Sequence, residues 1–171
     1  MLDSAKRYEE KLKQLFFDIE YDPYYFYSYY AAYREVFKIP DDTWQGNHFV
    51  SVHNGEIIGY IKYGIKRSEY SVDALYVVHF GGKTAPNGYI FCKDVITAIR
   101  DVFEKYGFNK VNFSVVIGNP IEKTYDKMIT RYGGRIVGIR KSDLRLIDGK
   151  LYDSKEYEIL SSEYFGRLKK E

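Results

Sequence analysis

The chain has 171 residues and a mass of 20.2 kDa, a length that suits one compact domain and is short for two. Its 26 basic and 24 acidic residues give a formal net charge of +2, and its pI of about 8.4 lies below the range typical of dedicated nucleic-acid-binding domains. No run of apolar residues approaches the roughly 20 needed to span a membrane, and the charged N-terminal segment lacks the apolar stretch of a signal peptide. We expect a cytoplasmic protein without membrane or nucleic-acid partners.

Two further features of the composition limit the chemistry. The single cysteine, Cys92, excludes an intrachain disulfide and fits a reducing compartment. The three histidines have no metal-ligand spacing, so we expect no metal site. Aromatic residues make up 18% of the chain, with 19 tyrosines among them, so tyrosine must contribute much of the core.

Helical patterns occupy the N-terminal part of the chain. Apolar side chains recur at helical spacing and predict a first helix over residues 4–19. Asp22-Pro23 predicts the start of a second helix that ends before Pro40. Seven aromatic residues lie between positions 24 and 33, too many for one helix face, so some of these rings must line a pocket, form an interface or stay exposed.

The middle of the chain changes to strand patterns. Runs over residues 48–52, 57–65 and 72–80 predict three antiparallel strands, the first two joined by a turn at Asn54-Gly55, a pair that tolerates the positive φ of a hairpin turn. The loop GGKTAPNG follows, and an apolar stripe from Phe91 to Tyr106 predicts a helix that Gly107 ends.

The C-terminal part alternates strand and helix. KVNFSVVIG reads as a buried strand, and Asn119-Pro120 predicts the start of a helix that ends at Gly133-Gly134. The pattern ends with three predicted strands: RIVGI, a longer strand reaching Ile147, and a strand over 151–160. A turn at Asp148-Gly149 joins the last two. We expect one α/β domain over residues 1–171, built around a mixed sheet.

One short motif suggests a different chemistry. Gly81-Gly82-Lys83-Thr84 matches the end of a phosphate-binding P-loop and follows a predicted strand. The first glycine of that motif is replaced by Val77, and Pro86 interrupts the place where the helix should begin. We interpret this match as chance.

The order of elements, together with several short segments, resembles the GNAT superfamily of N-acetyltransferases. The segments are FVSVHNGEIIGYIKYGI, ALYVVHF before a glycine-containing loop and a long helix, VVIGNPIEKTYDKMITRYGG, and DGKLYDSKEYEIL, which resembles the closing hairpin of many members. The resemblance implies an α+β fold with a central mixed, mostly antiparallel sheet, whose fourth and fifth strands splay apart between flanking helices.

The resemblance also implies a place for acetyl-coenzyme A. In this family the pantetheine arm enters the gap between the splayed strands, and the pyrophosphate rests on a glycine-containing loop at a helix N-terminus. The loop here departs from the usual Q/R-x-x-G-x-G/A pattern. The implied cofactor contacts are Val77, Val78 and Phe80 on the fourth strand, Gly82, Lys83, Asn87 and Gly88 in the loop, and Asn119 after the fifth strand.

Catalytic and acceptor-binding residues follow from the same resemblance. Tyr125 fits the family's tyrosine that protonates the departing thiolate, and an ordinary packing role on the apolar helix face is its alternative. His79, near the end of the fourth strand, is the candidate general base, and a packed or surface histidine is the alternative. Tyr25, Tyr29 and Tyr30 are expected to shape the acceptor pocket.

We therefore expect an enzyme that moves an acetyl group from acetyl-coenzyme A to the primary amine of an unidentified small-molecule or peptide acceptor. The altered loop leaves a second hypothesis open, a non-catalytic binding module with the same fold. A third hypothesis is an interaction domain that uses exposed tyrosines as stacking platforms. A homodimer is compatible with the aromatic surplus, but nothing in the sequence requires one.

Overall fold

The computed structural model describes residues 1–19, 22, 38–41, 46–73, 75–81, 86–146 and 148–168. The predicted second helix and its aromatic residues lie outside this part of the chain. The strands are β1 (Leu2–Ser4), β2 (Gly46–His53), β3 (Glu56–Lys66), β4 (Ser71–Val72), β5 (Tyr76–His79), β6 (Lys110–Val116), β7 (Arg135–Arg145) and β8 (Leu151–Leu160). The helices are α1 (Glu9–Ile19), α2 (Gly88–Glu104), α3 (Glu122–Tyr132) and α4 (Ser161–Leu168), with short 3-10 helices at Ala5–Tyr8 and Arg67–Glu69.

The described strands form one eight-stranded sheet. Its order is β1-β2-β3-β4-β6-β8-β7, with β5 pairing β3 beside this path. The β4–β6 pair is parallel, and the other described pairs are antiparallel. The predicted mixed, mostly antiparallel sheet is confirmed.

The sheet opens in its middle, which also confirms the predicted splay. The predicted strand over 72–80 divides into β4, which pairs with both β3 and β6, and β5, which pairs with β3. Between them, the N–H of Leu75 still donates to the carbonyl of Asn112 on β6, at 3.3 Å. Beyond that bond β5 and β6 diverge and leave a gap.

Three elements differ from the sequence prediction. The first helix begins with a 3-10 turn, and β1 precedes it, paired with β2. The two strands predicted over 135–147 are one strand, β7, with two irregularities in its pairing to β8. Helix α4 was not predicted. It is anchored by Tyr164, whose ring stacks on Phe103 at 4.9 Å and whose hydroxyl donates to Glu104.

Two hydrophobic clusters cover opposite faces of the sheet. The larger cluster lies beneath α2 and α3, and the smaller lies beneath α1. Helix α2 approaches β3 so closely that a Cβ atom added to Gly59 would lie 2.1 Å from the Phe91 ring. The glycine therefore permits the contact that sets the position of α2.

Candidate functional site

The gap between β5 and β6 presents unpaired strand backbone. The N–H of Phe80 donates to Ile58 on β3, and backbone groups on a strand alternate between its two edges. Val77 and His79 therefore direct their N–H and C=O groups away from β3, on the edge from which Leu75 reaches β6. A ligand in the gap can bond to this edge as an added strand would.

Two cavities meet at this gap. The first, which we call the helix cavity, has a volume of about 410 Å³ and lies between α2 and α3. The second, which we call the cleft cavity, has a volume of about 730 Å³ and lies between β5, β6, β8 and the β7 hairpin. Ile121 and Tyr125, at the start of α3, line both cavities.

The two cavities open on opposite faces of the sheet. Val111, Phe113 and Val115 on β6 belong to the core beneath α2 and α3. Because side chains alternate along a strand, Asn112 and Ser114 point to the other face, where they line the cleft cavity. The helix cavity thus lies on the side of α2 and α3, and the cleft cavity extends to the opposite side.

The helix cavity has a positive lining. Lys127 and Arg131 line it, and no carboxylate does so among the described residues. The exposed thiol of Cys92 lies in the same wall. The arrangement favours a ligand that combines an apolar body with negative charge.

The first turn of α2 adds hydrogen-bond donors at the edge of the helix cavity. Asn87 occupies the N-cap position without a side-chain bond to the helix. Its Oδ1 instead lies 2.9 Å from Nε2 of His79, which must donate because an amide oxygen accepts only. The His79 ring also stacks on Phe91, with 5.4 Å between the ring centroids. The first amides of α2 are therefore not satisfied by this cap.

Tyr125 lies where the two cavities join. Its side chain is only 4% exposed, and its hydroxyl has no hydrogen-bond partner among the described residues. Burial raises the pKa of this phenol, mainly because the charged form would lose its water, so the neutral form persists throughout the physiological range. A buried hydroxyl without a partner among the described residues is uncommon, so Tyr125 has a hydrogen to donate to a group that enters either cavity.

Aromatic rings hold Tyr125 in place from two directions. Its ring makes edge contacts with Phe113 at 4.9 Å and with Tyr157 at 5.7 Å, and those two rings stack on each other. The Tyr157 hydroxyl donates to Asp126, the residue after Tyr125 on α3, at 2.9 Å. Lys155 pairs with Glu122 and Asp126 on the same helix. These contacts fix α3 against β8.

The cleft cavity has a mixed lining. Five carboxylates and four cationic side chains are among the described residues that line it. Most of them pair with each other across the wall, as in Lys66 with Asp73 at 2.8 Å and Arg140 with Glu156 at 2.9 Å. This cavity therefore suits a polar ligand, in contrast to the helix cavity.

The structure brings most of the described sequence-predicted site residues to the gap. His79, Gly88 and Tyr125 line the helix cavity, Asn87 bonds to His79, and Val77 and Asn119 line the cleft cavity. Asn119 uses its Oδ1 to accept from the N–H of Ile121 at the start of α3.

Two of the predicted cofactor contacts lie elsewhere. The side chains of Val78 and Phe80 are buried in the cluster beneath α1, and the Phe80 N–H is bound to β3. Strand alternation places both on the face and edge that turn away from the gap. Gly82, Lys83, Tyr25, Tyr29 and Tyr30 lie outside the described residues.

Sequence reasoning missed the polar wall of the helix cavity. Thr124, Lys127 and Arg131 follow one another at spacings of three and four residues and so share one face of α3. That spacing was visible in the sequence. Its significance was not, because the wall opposite belongs to α2, which is distant along the chain.

Comparisons with known proteins add the fold relationship. A scan against protein-family models and a search of curated proteins both give no match. Among solved structures, the spermidine/spermine N-acetyltransferase SpeG from Vibrio cholerae aligns at a TM-score of 0.68 and 19% identity, covering 98% of this chain and 95% of that chain. A probable acetyltransferase aligns at a TM-score of 0.72 and 18% identity, covering 95% and 93%.

A third neighbour carries a different acceptor in its name. The ribosomal-protein-S5-alanine acetyltransferase from Vibrio fischeri aligns at a TM-score of 0.56 and 15% identity, covering 70% of this chain and 64% of that chain. At such identities the likeness concerns the fold, and it agrees with the open sheet and the gap between β5 and β6. The chain has the fold of the GNAT superfamily of N-acetyltransferases.

Proposed function

We propose that the chain is an acetyl-coenzyme A-dependent N-acetyltransferase. The observation that carries the proposal is the Tyr125 hydroxyl, which is buried, has no partner among the described residues and lies where two cavities from opposite faces of the sheet meet. Two substrates that must react with each other can reach this point from different sides. The fold of known acetyltransferases supports the same proposal.

The helix cavity fits the cofactor. Acetyl-coenzyme A supplies an acetyl group activated as a thioester. Lys127, Arg131 and the first amides of α2 offer donors and positive charge for its phosphates. The outward backbone of Val77 offers strand-type hydrogen bonds for its pantetheine amides. Gly82 and Lys83 stay predicted contacts in the preceding loop, and Asn119 stays one at the start of α3.

Tyr125 is the proposed acid. The transfer forms a bond between the acceptor nitrogen and the acetyl carbonyl carbon and breaks the bond from that carbon to sulfur. The departing sulfur needs a proton, and Tyr125 Oη holds one, since burial keeps the pKa of this phenol above its ordinary value. The acceptor nitrogen releases its protons to a base or to water, and one proton returns from there to the Tyr125 phenolate, so that the phenol is restored.

His79 is the proposed base, and its Nε2 donates a hydrogen bond to Asn87. Its position supports the proposal, because it lines the same cavity as Tyr125. Replacement by Gln should lower kcat and leave KM for acetyl-coenzyme A nearly unchanged if His79 accepts the proton. An unchanged kcat with a raised KM for the cofactor would instead assign the side chain to positioning Asn87.

A substitution at Tyr125 tests the proposed reaction. Tyr125→Phe should lower kcat by about 10²–10⁴-fold while acetyl-coenzyme A binding is retained, because only the proton donor is lost. Tyr164→Phe is the matched control, since that tyrosine is also buried but belongs to α4, and it should keep its activity. Equal activity in both variants would remove Tyr125 from the mechanism.

The binding module remains the second candidate, and the departure of the loop from the family pattern favours it. A thermal melt with acetyl-coenzyme A, free coenzyme A and ATP separates the two. A ligand at about 100 times its Kd adds roughly 2.7 kcal/mol of stability. Stabilisation by both coenzyme A forms and not by ATP supports the enzyme. No stabilisation at millimolar ligand supports the module.

Cys92 reports where the cofactor binds. It is the only cysteine of the chain, its thiol is exposed, and it lines the helix cavity. Acetyl-coenzyme A should slow its alkylation by a maleimide if the cofactor occupies this cavity. Stabilisation in the melt without protection of Cys92 would place the cofactor elsewhere.

The acceptor amine is proposed to enter the cleft cavity. The names of the structural neighbours include a polyamine, spermidine, and an alanine of a ribosomal protein, so small-molecule and peptide acceptors both fit the fold. Tyr25, Tyr29 and Tyr30 stay predicted contacts for the acceptor. Their replacement by Ala should raise KM for the acceptor with little change in the melting temperature.

The proposed homodimer has a candidate surface on β7. Ile136, Val137 and Ile139 on this strand at the edge of the described sheet are between 47% and 58% exposed, and Leu151 on β8 is 61% exposed. Light scattering tests this proposal, because a dimer would have about twice the 20.2 kDa mass of the chain. Ile139→Lys places a charge on this surface and should dissociate the dimer.

A further inference from the structure

The charges of the cleft cavity point to the chemistry of the acceptor, an inference that rests on the proposed function. Seven of the nine charged side chains that line it form ion pairs with one another within its wall. Lys66 pairs with Asp73 and Glu69, Lys110 with Glu158, and Arg140 with Glu156. Lys62 and Asp143 have no ion-pair partner among the described residues.

Lys62 lies on the β3 side of the cavity. It stands opposite Tyr76 in the β3–β5 register, and the two side chains share one face of the sheet and line the cavity together. Its ammonium group is therefore a positive charge on this side of the cavity, and it forms no ion pair with the described carboxylates of the wall.

Asp143 lies on the opposite wall, in an irregularity of the β7 hairpin. Arg140 pairs with Ser154, and Leu144 pairs with Tyr152. Residues 141–143 of β7 therefore lie opposite the single residue Asp153 of β8. The Asp143 carboxylate accepts a hydrogen bond from the fully buried Ser154 hydroxyl at 2.5 Å. This bond orients the carboxylate without neutralising it.

The bulge that carries Asp143 is fixed by other contacts. Ser142 has a φ of 49° and donates its N–H to Asp153 Oδ1 at 3.0 Å, and Lys141 pairs with the same carboxylate at 2.7 Å. Asp143 therefore projects into the cavity from a rigid support.

We infer that the acceptor carries an anionic group as well as its amine, so that its ammonium is drawn to Asp143 and its anion to Lys62. The buried hydroxyl of Tyr125, which also faces this cavity, marks the end at which the amine reacts. A polyamine would leave Lys62 opposed by a like charge, whereas an amino acid or a peptide with an N-terminal amine and a nearby carboxylate satisfies both side chains.

Two amines of equal length test the inference. In 5-aminopentanoate, a carboxylate replaces the second aminomethyl group of cadaverine. Glycyl-glutamate and spermidine extend the comparison to peptides and polyamines. With saturating acetyl-coenzyme A, the kcat/KM for 5-aminopentanoate should exceed that for cadaverine by about tenfold or more. A higher value for glycyl-glutamate would identify a peptide acceptor, and a higher value for 5-aminopentanoate a small molecule.

Substitutions at the two unpaired charges identify their roles. Lys62→Glu should reverse the preference toward cadaverine and spermidine, and Asp143→Asn should raise KM for all four amines. Lys123→Glu, on the exposed side of α3 and away from both cavities, makes the same charge change and should leave the preference unaltered.

The outcomes separate the inference from the proposed function. If acetyl-coenzyme A stabilises the protein and the enzyme prefers cadaverine or spermidine, the inference is overturned and the proposed function stands. Equal effects of Lys62→Glu and Lys123→Glu would have the same meaning. If acetyl-coenzyme A binds but no amine is acetylated, calorimetry of the four amines decides the inference, and failure of 5-aminopentanoate and glycyl-glutamate to bind overturns it. Absence of any acetyl-coenzyme A binding overturns the proposed function.

Discussion

At the scale of single residues, Tyr125 combines a cost in stability with a role in function. Its hydroxyl loses its hydrogen bonds to water on folding and gains none from the described residues. Active sites commonly carry such destabilising groups because the ligand supplies the missing contact. The same side chain should therefore respond in opposite directions to measurements of stability and of activity.

We predict that Tyr125→Phe leaves the free energy of unfolding unchanged or raises it by about 1–2 kcal/mol, because it removes an unsatisfied polar atom and keeps the ring contacts. Tyr164→Phe should lower it by about 1 kcal/mol, since the Tyr164 hydroxyl donates to Glu104 at 2.7 Å. Urea denaturation of both variants measures the difference. A loss at Tyr125 as large as that at Tyr164 would mean that its hydroxyl has a partner.

At the scale of elements, the position of α2 depends on a contact between a glycine and a ring. Phe91 lies over Gly59 on β3 and leaves no room for a Cβ atom. Phe91 also lines the helix cavity and stacks on His79. A shift of α2 would therefore move one wall of the candidate cofactor site.

Gly59→Ala should lower stability by about 1–3 kcal/mol and weaken acetyl-coenzyme A binding, because α2 must move outward to admit the methyl group. Gly138→Ala is the control, since a Cβ atom there would meet nothing within 4 Å. Denaturation curves and melts with the cofactor measure both effects. Equal behaviour of the two variants would contradict this description of the α2 contact.

A second element contact joins α3 to β8. Lys155 lies with its side chain 14% exposed between Glu122 and Asp126. Hydrogen bonds from Lys155 and from the Gly118 N–H lower the pKa of Glu122 below its ordinary value of 4.5. The stability from this depressed pKa is present above about pH 4.5 and is lost as the pH falls through the folded-state value.

Lys155→Met should lower the free energy of unfolding by about 1–3 kcal/mol at neutral pH, because two partly buried carboxylates lose their cation. The difference from the unmodified chain should shrink as Glu122 becomes protonated. Lys150→Met is the control, since Lys150 is 77% exposed and its pair with Asp148 spans 3.7 Å. A pH-independent difference would exclude the carboxylates as its cause.

At the scale of the whole molecule, tyrosine contributes to the core in place of purely apolar residues. Tyr60, Tyr63, Tyr125, Tyr157 and Tyr164 are each at most 5% exposed. Burial is the main reason why the pKa of each of these phenols is raised. The protein therefore folds with neutral phenols that the unfolded chain would ionise near pH 10.0, the ordinary value.

We predict that stability falls steeply above about pH 10, because the unfolded chain releases phenolic protons that the folded chain retains. Each buried tyrosine lowers the free energy of unfolding by up to about 1.4 kcal/mol per pH unit in this range. Urea denaturation from about pH 8 to about pH 11 measures the decline. Tyrosinate absorbance from the buried phenols should appear only with unfolding, and its appearance in the folded protein would contradict the prediction.

The elements that local chemistry specifies could be predicted from the sequence. The Asn54-Gly55 turn has the positive φ values expected of it, and Gly133 ends α3 as predicted, whereas α2 ends at Glu104, three residues before the predicted Gly107. Strand β1 has three residues, too few to show an alternation, and α4 follows a strand without a break. The division of residues 72–80 into two strands depends on where β6 diverges, which is a property of the whole sheet.

The candidate site was predictable to a lesser extent. The resemblance placed Tyr125 and His79 near the gap, but the unsatisfied hydroxyl of Tyr125 is visible only when its neighbours are known. Lys127 faces α2, and Asp143 reaches its cavity through a bulge in β7. Both depend on contacts between segments that are distant in the sequence.

The meeting of two cavities from opposite faces of the sheet has a consequence for the order of events in turnover. A donor and an acceptor that arrive through separate entrances need not wait for one another, so either can bind first. Under the proposed function, initial-rate plots at several fixed acetyl-coenzyme A concentrations should intersect, as they do when both substrates are bound together, and the acetyl group should pass directly to the amine without residing on the protein.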